Sequence, residues 1–122
     1  MRIAFIAPPW TPIPPPFYGG IEGVVDLLAK GAQAQGHEVL LFTTGDSTCD
    51  VPRKWVLPEA QGGRIGHVLP ELRHVMHAYE AVQGFDVVHD HTIAGPVYAE
   101  RFPDCRVAVS YTHLTLPTIC SV

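Results

Sequence analysis

The sequence predicts an α/β fold built on a doubly wound parallel sheet, and three observations support this prediction. Residues 3–7 and 39–43 are short and almost wholly apolar, which is typical of parallel strands buried on both faces. Residues 21–36, between them, have the period of an amphipathic helix. A strand, a helix and a strand within about 45 residues form a right-handed βαβ unit, and the alternation continues to residue 110.

The first helix is predicted from its apolar stripe. Its apolar residues fall at i, i+3, i+4 and i+7: Ile21, Val24, Val25 and Leu28. Asp26 and Lys30 form an i,i+4 pair on the other side of the helix. Glu22 lies in the first turn, where the helix dipole favours an anion, and Gly36 is the expected end of the helix.

The rest of the chain repeats the alternation. A second helix is predicted over residues 71–82, directly after Pro70. Its expected inward-facing residues are Leu72, Val75, Met76 and Tyr79. His74 and His77, three residues apart on this helix, are expected to face solvent. Further strands are predicted at residues 55–57, 85–89 and 106–110, and a short helix at residues 95–101.

Length and composition exclude several classes of protein. The 122 residues fit one domain or part of one, and 47% hydrophobic residues with 16% charged residues predict a folded core. A net charge of −4 provides no basic surface for nucleic acid. No apolar run is long enough for a membrane span or a signal peptide, and three scattered cysteines favour a reducing compartment. A cytoplasmic protein is predicted, with at most peripheral contact with a membrane.

The predicted domain covers residues 1–109. We expect this domain to be incomplete, because a doubly wound sheet usually has more strands and a closing helix. Residues 110–122 form an atypical tail, in which SYTHLTLPT resembles a translated sequencing adapter. The tail is therefore hypothesised not to be native.

Two unusual segments are expected at the carboxyl edge of the sheet, where open α/β sheets bind ligands. The first is Gly19-Gly20, at the start of the first helix. Two residues without Cβ atoms let backbone N–H groups approach a ligand, and a helix N-terminus favours phosphate or diphosphate. The alternative is a flexible turn that ends the preceding loop.

The second segment is His89-Asp90-His91, at the end of a predicted strand. In an extended chain, His89 and His91 point to one side and Asp90 to the other. An imidazole at this edge could exchange a proton with a sugar hydroxyl or hold it in place. Two alternatives stay open: a metal site, which needs more ligands, and a histidine that ends the strand with a satisfied hydrogen bond.

A proline-rich loop separates the first strand from the first helix. Residues 8–16 contain six of the chain's 12 prolines, so neither a helix nor a central strand is expected there. A stiff segment can lie over a pocket with little loss of entropy, and Trp10, Phe17 and Tyr18 would give it a flat apolar surface. Its PxxP spacing also matches ligands of SH3 and WW domains. That match is the basis for an alternative, a non-catalytic binding module.

These segments together resemble the N-terminal domain of retaining glycosyltransferases of family four. The resemblance covers residues 1–109 and rests on MRIAFIAPP at 1–9, YGGIE at 18–22, GHEV at 36–39 and FDVVHDHT at 85–92. The glycine pair followed by His-x-His is moderately specific, whereas either motif alone would be weak.

The resemblance implies a B-type glycosyltransferase fold, in which two Rossmann-like domains face a cleft. The N-terminal domain mainly binds the acceptor, and the C-terminal domain binds most of the nucleotide sugar. His91 is then the catalytic residue that contacts the transferring sugar or the acceptor. The implied substrate-binding residues are Tyr18, Gly19, Gly20, His89 and Thr92. No metal and no cofactor beyond the nucleotide-sugar co-substrate are implied.

The chain departs from the family's pattern because the C-terminal domain is missing. The residues that hold the nucleotide and stabilise its departure are absent with it, so the chain alone is expected not to transfer sugar. The partners implied are a nucleotide sugar, an acceptor molecule or glycan, and the missing domain. A sugar-nucleotide epimerase, which shares the two-domain architecture, is a further alternative.

Overall fold

The computed structural model describes residues 1–16, 20–65 and 67–109. Its strands are β1 (Arg2–Ile6), β2 (Glu38–Phe42), β3 (Arg53–Lys54), β4 (Val87–Asp90) and β5 (Val107–Val109). Its α-helices are α1 (Gly20–Ala34), α2 (Val68–Ala81) and α3 (Gly95–Tyr98), and there are 3-10 turns at Gly62–Arg64 and Ala99–Arg101. The predicted tail lies outside the described residues, as do Phe17, Tyr18 and Gly19.

The five strands form one sheet in the order β3-β2-β1-β4-β5, and all neighbouring strands are parallel. Ile6 at the end of β1 is in register with Phe42 on one side and with Asp90 on the other. The chain first moves outward from β1 to β2 and β3, then returns to place β4 on the other side of β1. The sheet therefore has its switch point between β1 and β4, where a doubly wound fold binds ligands.

Two apolar cores lie on opposite faces of the sheet. Side chains alternate along a strand, so β1 contributes Ala4 and Ile6 to one core, whereas Phe5 and the next residue after the strand, Ala7, belong to the other. The first core includes three buried residues of α2: Val75, Ala78 and Tyr79. The second includes two buried residues of α1: Val25 and Ala29. Helices on both faces confirm the predicted doubly wound α/β class.

The buried face of α1 differs from the predicted stripe. Its buried residues are Glu22, Val25, Asp26 and Ala29. Val24 and Leu28 are each 40% exposed, because α1 packs mainly over β2 and its other side projects over β4. Asp26 is acceptable in the buried face because its carboxylate lies 2.9 Å from the Lys30 ammonium, the predicted i,i+4 pair.

The bounds of α2 and β3 also differ from prediction. The helix α2 begins at Val68 and contains Pro70 in its first turn, where a backbone N–H has no partner within the helix. Met76 is partly exposed, and His74 is buried rather than facing solvent. The third strand begins at Arg53, two residues earlier than predicted, because backbone hydrogen bonds attach Pro52 and Lys54 to the chain at β2.

Gly36 ends the turn after α1 with a φ of +95°, a left-handed conformation that favours glycine. We expect Gly36→Ala to lower the free energy of unfolding by about 1 kcal/mol, measured by urea denaturation. Gly31→Ala is the control, because its methyl would lie inside α1 with nothing within 4 Å. That variant should gain about 0.5–1 kcal/mol. An unchanged or raised stability in Gly36→Ala would contradict this account.

Candidate functional site

The candidate site lies at the carboxyl edge of the sheet, between β1 and β4. The backbone N–H of His91, the first residue after β4, donates to the carbonyl oxygen of Ile6 at 3.0 Å. This hydrogen bond continues the parallel ladder by one step beyond β4. It places His91 directly beside the end of β1.

Gly20 lies at the same edge of the sheet. At the far end of α1, the ring nitrogen Nδ1 of His37 lies 3.2 Å from the amino terminus of Met1, at the amino edge. A helix of 15 residues is about 22 Å long, so its first residue returns to the carboxyl edge. Gly20 and His91 therefore share one edge, as the order of elements predicts. Tyr18 and Gly19 lie outside the described residues.

The two histidines point to the same side of β4. Their ring centroids are 4.2 Å apart, and the ring of His89 also lies 5.8 Å from that of Phe5. The half-buried His89 lines a groove together with Leu27 and Leu28 of α1. The predicted alternation thus holds, with both imidazoles on the α1 side of the sheet.

The His91 imidazole is buried, and its ring nitrogens have no hydrogen-bond partner among the residues that the structure describes. Burial, and to a smaller extent the neighbouring His89, lower the pKa of His91 to about 3. Burial also lowers the pKa of His89. His91 is therefore neutral near pH 7, with one ring nitrogen able to donate a hydrogen bond and the other able to accept one.

Asp90 points to the opposite side of β4 and is fully buried. Its carboxylate accepts hydrogen bonds from the hydroxyl of Tyr79 and from the backbone N–H and hydroxyl of Thr92. Desolvation raises the pKa of Asp90, whereas these hydrogen bonds oppose the rise. The Thr92 hydroxyl also accepts from the backbone N–H of Gly95 at 2.9 Å. Thr92 thus supports the loop after β4 instead of presenting its hydroxyl to a ligand.

Three polar residues of α2 reach the site region, although no functional role was predicted for any of them. The Glu71 carboxylate accepts from the backbone N–H of Ile93 at 2.8 Å, and Nε2 of His74 lies 2.6 Å from the carbonyl oxygen of Ala7. Tyr79 binds Asp90 as described above. The sequence did contain a signal: Glu71 and His74 fall on the same helical face as Tyr79, which was predicted to face inward. A face that packed only against an apolar core would carry apolar residues at those positions.

The proline-rich loop is attached to the domain through Ile13. Its backbone N–H donates to the Ser47 hydroxyl at 2.9 Å, and its carbonyl accepts from the backbone N–H groups of Thr48 and Cys49. Ile13 itself is fully buried. An extended ligand for SH3 or WW domains would need this segment free, so the attachment disfavours that alternative.

Within residues 1–16, 20–65 and 67–109, no three His, Cys, Asp or Glu side chains come close enough together to hold a metal ion. The described helices include none with the length and apolar character of a membrane span. Cys49 and Cys105 are free thiols. Burial raises the pKa of the Cys49 thiol to about 12, so it is not a nucleophile at neutral pH.

The family model described as Glycosyltransferase Family 4 matches residues 18–118 of the 122-residue chain. The matched region includes both Gly20 and the segment from His89 to Thr92. No curated protein matches the chain.

Proposed function

The chain belongs to glycosyltransferase family 4, and on that premise we propose that it is the acceptor-side domain of a retaining glycosyltransferase. The whole enzyme would transfer a sugar from a nucleotide-sugar donor to an acceptor molecule or glycan. A second domain would hold most of the nucleotide, so this chain alone would not complete the transfer. The family match favours transfer over the epimerase alternative.

The observation that carries the proposal is that Gly20 and His91 lie at the same edge of the sheet. Gly20 opens a helix of 15 residues, and His91 is a buried imidazole without a partner among the described side chains. His91 lies beside the switch point between β1 and β4, since its backbone N–H donates to Ile6, and Gly20 lies at the same edge of the sheet. A helix N-terminus and a neutral imidazole are complementary to the two ends of a sugar diphosphate.

The N-terminus of α1 would bind the diphosphate of the donor. The first N–H groups of a helix have no partner within the helix, and the helix dipole places partial positive charge there. Gly20 is exposed and lacks a Cβ atom, so a phosphate can approach these groups closely. As the bond between the sugar and the diphosphate breaks, negative charge grows on the leaving oxygen, and fixed N–H donors stabilise it.

His91 would hold a hydroxyl of the sugar or of the acceptor. Because its pKa is lowered to about 3, the ring stays neutral and offers a donor and an acceptor together. A hydroxyl group can accept from the ring N–H or donate to the other ring nitrogen. A buried polar group without a partner costs about 1–3 kcal/mol, so a ligand that reaches the ring would remove this cost.

A titration of the ¹⁵N-labelled 122-residue chain with uridine diphosphate and guanosine diphosphate, followed by NMR, tests the proposal. We expect the backbone amides of the first turn of α1 to shift, because these N–H groups would bind the diphosphate. Gly20→Ala should weaken binding several-fold, because its methyl group lies at the helix N-terminus. Gly23→Ala adds the same methyl group with nothing within 4 Å and should bind as the parent does.

The proposal fails if neither nucleotide shifts these signals at millimolar concentration. It also fails if Gly20→Ala and Gly23→Ala bind equally well, since the N-terminus of α1 would then not be the diphosphate site.

A further inference from the structure

We propose that Glu71, His74 and Tyr79 of α2 are positioning residues, which together hold the loop after β1 and the loop after β4 at the candidate site. The three residues lie on one face of the helix: His74 and Glu71 each make a polar contact to one of these loops, and Tyr79 binds Asp90, the last residue of β4. The assignment rests on the proposed function for its consequence in sugar transfer, although the positioning itself can be measured without a ligand.

Tyr79 acts on His91 through Asp90. The Tyr79 hydroxyl donates to one carboxylate oxygen of Asp90, and the other oxygen accepts from the backbone N–H and the hydroxyl of Thr92, at 2.8 and 2.7 Å. Asp90 precedes His91 and Thr92 follows it. The backbone on both sides of His91 is thus fixed from the α2 side of the sheet.

Glu71 adds a second attachment to the same loop. Its carboxylate accepts from the backbone N–H of Ile93 at 2.8 Å. Residues 90, 92 and 93 are all held, whereas the His91 ring lies on the other face of β4, without a partner among the described residues. This arrangement fixes the backbone of the loop, while neither ring nitrogen of His91 is engaged by a hydrogen bond to a described residue.

His74 holds the other loop. Its Nε2 lies 2.6 Å from the carbonyl oxygen of Ala7, so this nitrogen carries a proton and donates. Burial lowers the pKa of His74 to about 4, so the ring is neutral at pH 7. Pro8 and Pro9, which follow Ala7, have no backbone N–H to donate. The chain can therefore be attached here through a carbonyl group, and the carbonyl of Ala7 accepts from α2. One helix thus connects both walls of the site.

Tyr79→Phe and Tyr98→Phe form a matched pair for the test. Each removes one hydroxyl from a tyrosine of the same aromatic cluster, but the Tyr98 hydroxyl makes only an exposed, 3.4 Å contact to Glu80. We expect Tyr79→Phe to shift the ring ¹⁵N signals of His91 in the folded state. It should also speed amide exchange of Thr92 about 10-fold, whereas Tyr98→Phe should do neither.

These readouts separate positioning from a general loss of stability. A merely structural Tyr79 would lower the melting temperature and speed amide exchange across β1 and β4 alike, while the His91 signals of the folded state stayed unchanged. That result would overturn the proposal.

Glu71 gives a second test should Tyr79→Phe fail to fold. Glu71→Ala should shift the His91 ring signals and speed exchange of the Ile93 amide. Glu71→Gln keeps a carbonyl oxygen that can accept from this amide, so it should restore the parent signals. Equal effects of Ala and Gln, or no effect of either, would count against positioning.

The outcomes also distinguish this proposal from the proposed function. If uridine diphosphate does not bind the parent chain but the α2 variants move His91, positioning stands and the glycosyl-transfer site fails. If the nucleotide binds and the variants leave His91 unmoved, the site stands and positioning fails.

Discussion

Gly95→Ala is expected to lower the free energy of unfolding by about 3 kcal/mol, because the added methyl group overlaps the Asp90 carboxylate and the Thr92 hydroxyl. The new Cβ would lie 2.7 Å from Cγ of Asp90, and closer still to one carboxylate oxygen. Both side chains are buried and hydrogen-bonded, so neither can move away without breaking its bonds. The loss is large for a domain of this size, whose total stability is about 5–15 kcal/mol.

Urea denaturation followed by circular dichroism measures this loss. Gly23→Ala is the control, since its methyl would lie in α1 with nothing within 4 Å and should raise stability by about 0.5–1 kcal/mol. A Gly95→Ala variant within about 0.5 kcal/mol of the parent would mean that the loop after β4 is not packed as described.

Acid is expected to destabilise the chain through two buried histidines. Burial lowers the pKa of His74 to about 4 and of His91 to about 3, from an ordinary value of 6.5. Between pH 6.5 and these values the unfolded chain binds protons that the folded chain does not. The stabilisation that these two histidines contribute is therefore complete above pH 6.5 and is lost as the pH falls. At pH 5 the loss is about 1–2 kcal/mol for each histidine.

The test compares urea denaturation at pH 7 and pH 5. His74→Gln and His91→Gln should each reduce the difference in stability between the two pH values, whereas His67→Gln, at an exposed position, should not. The raised pKa of Asp90 acts in the opposite sense, since it favours the folded state at low pH. All the variants keep Asp90, so comparing them with the parent separates the effect of the histidines from the effect of Asp90. Equal pH differences in all four proteins would refute the expectation.

The sequence predicted the sheet and its edge because those features depend on local pattern. Residues 3–7 and 39–43 are apolar on both faces, which few structures other than a buried parallel strand explain. Parallel strands end at one edge, so the positions of Gly20 and His91 followed from the order of elements alone. Alternation along a strand likewise predicted that His89 and His91 lie on one side and Asp90 on the other.

Features that depend on distant partners were not predictable in this way. His74 was expected in solvent, yet it is buried because it binds Ala7, 67 residues earlier in the chain. The apolar stripe of α1 was expected inside, yet Leu28 is 40% exposed because the sheet beneath it offers a groove rather than a packed neighbour. Burial of a polar residue is decided by partners that periodicity does not reveal.

The two-sided character of β4 limits how this segment can change in evolution. Its Asp90 carboxylate binds Tyr79 on one face, and its His89 imidazole lies beside the Phe5 ring on the other. Inserting or deleting one residue in β4 would exchange the faces, leaving the acid among apolar groups and the histidines against Tyr79. Changes in length should thus accumulate in the connecting loops, while β4 varies only by substitution.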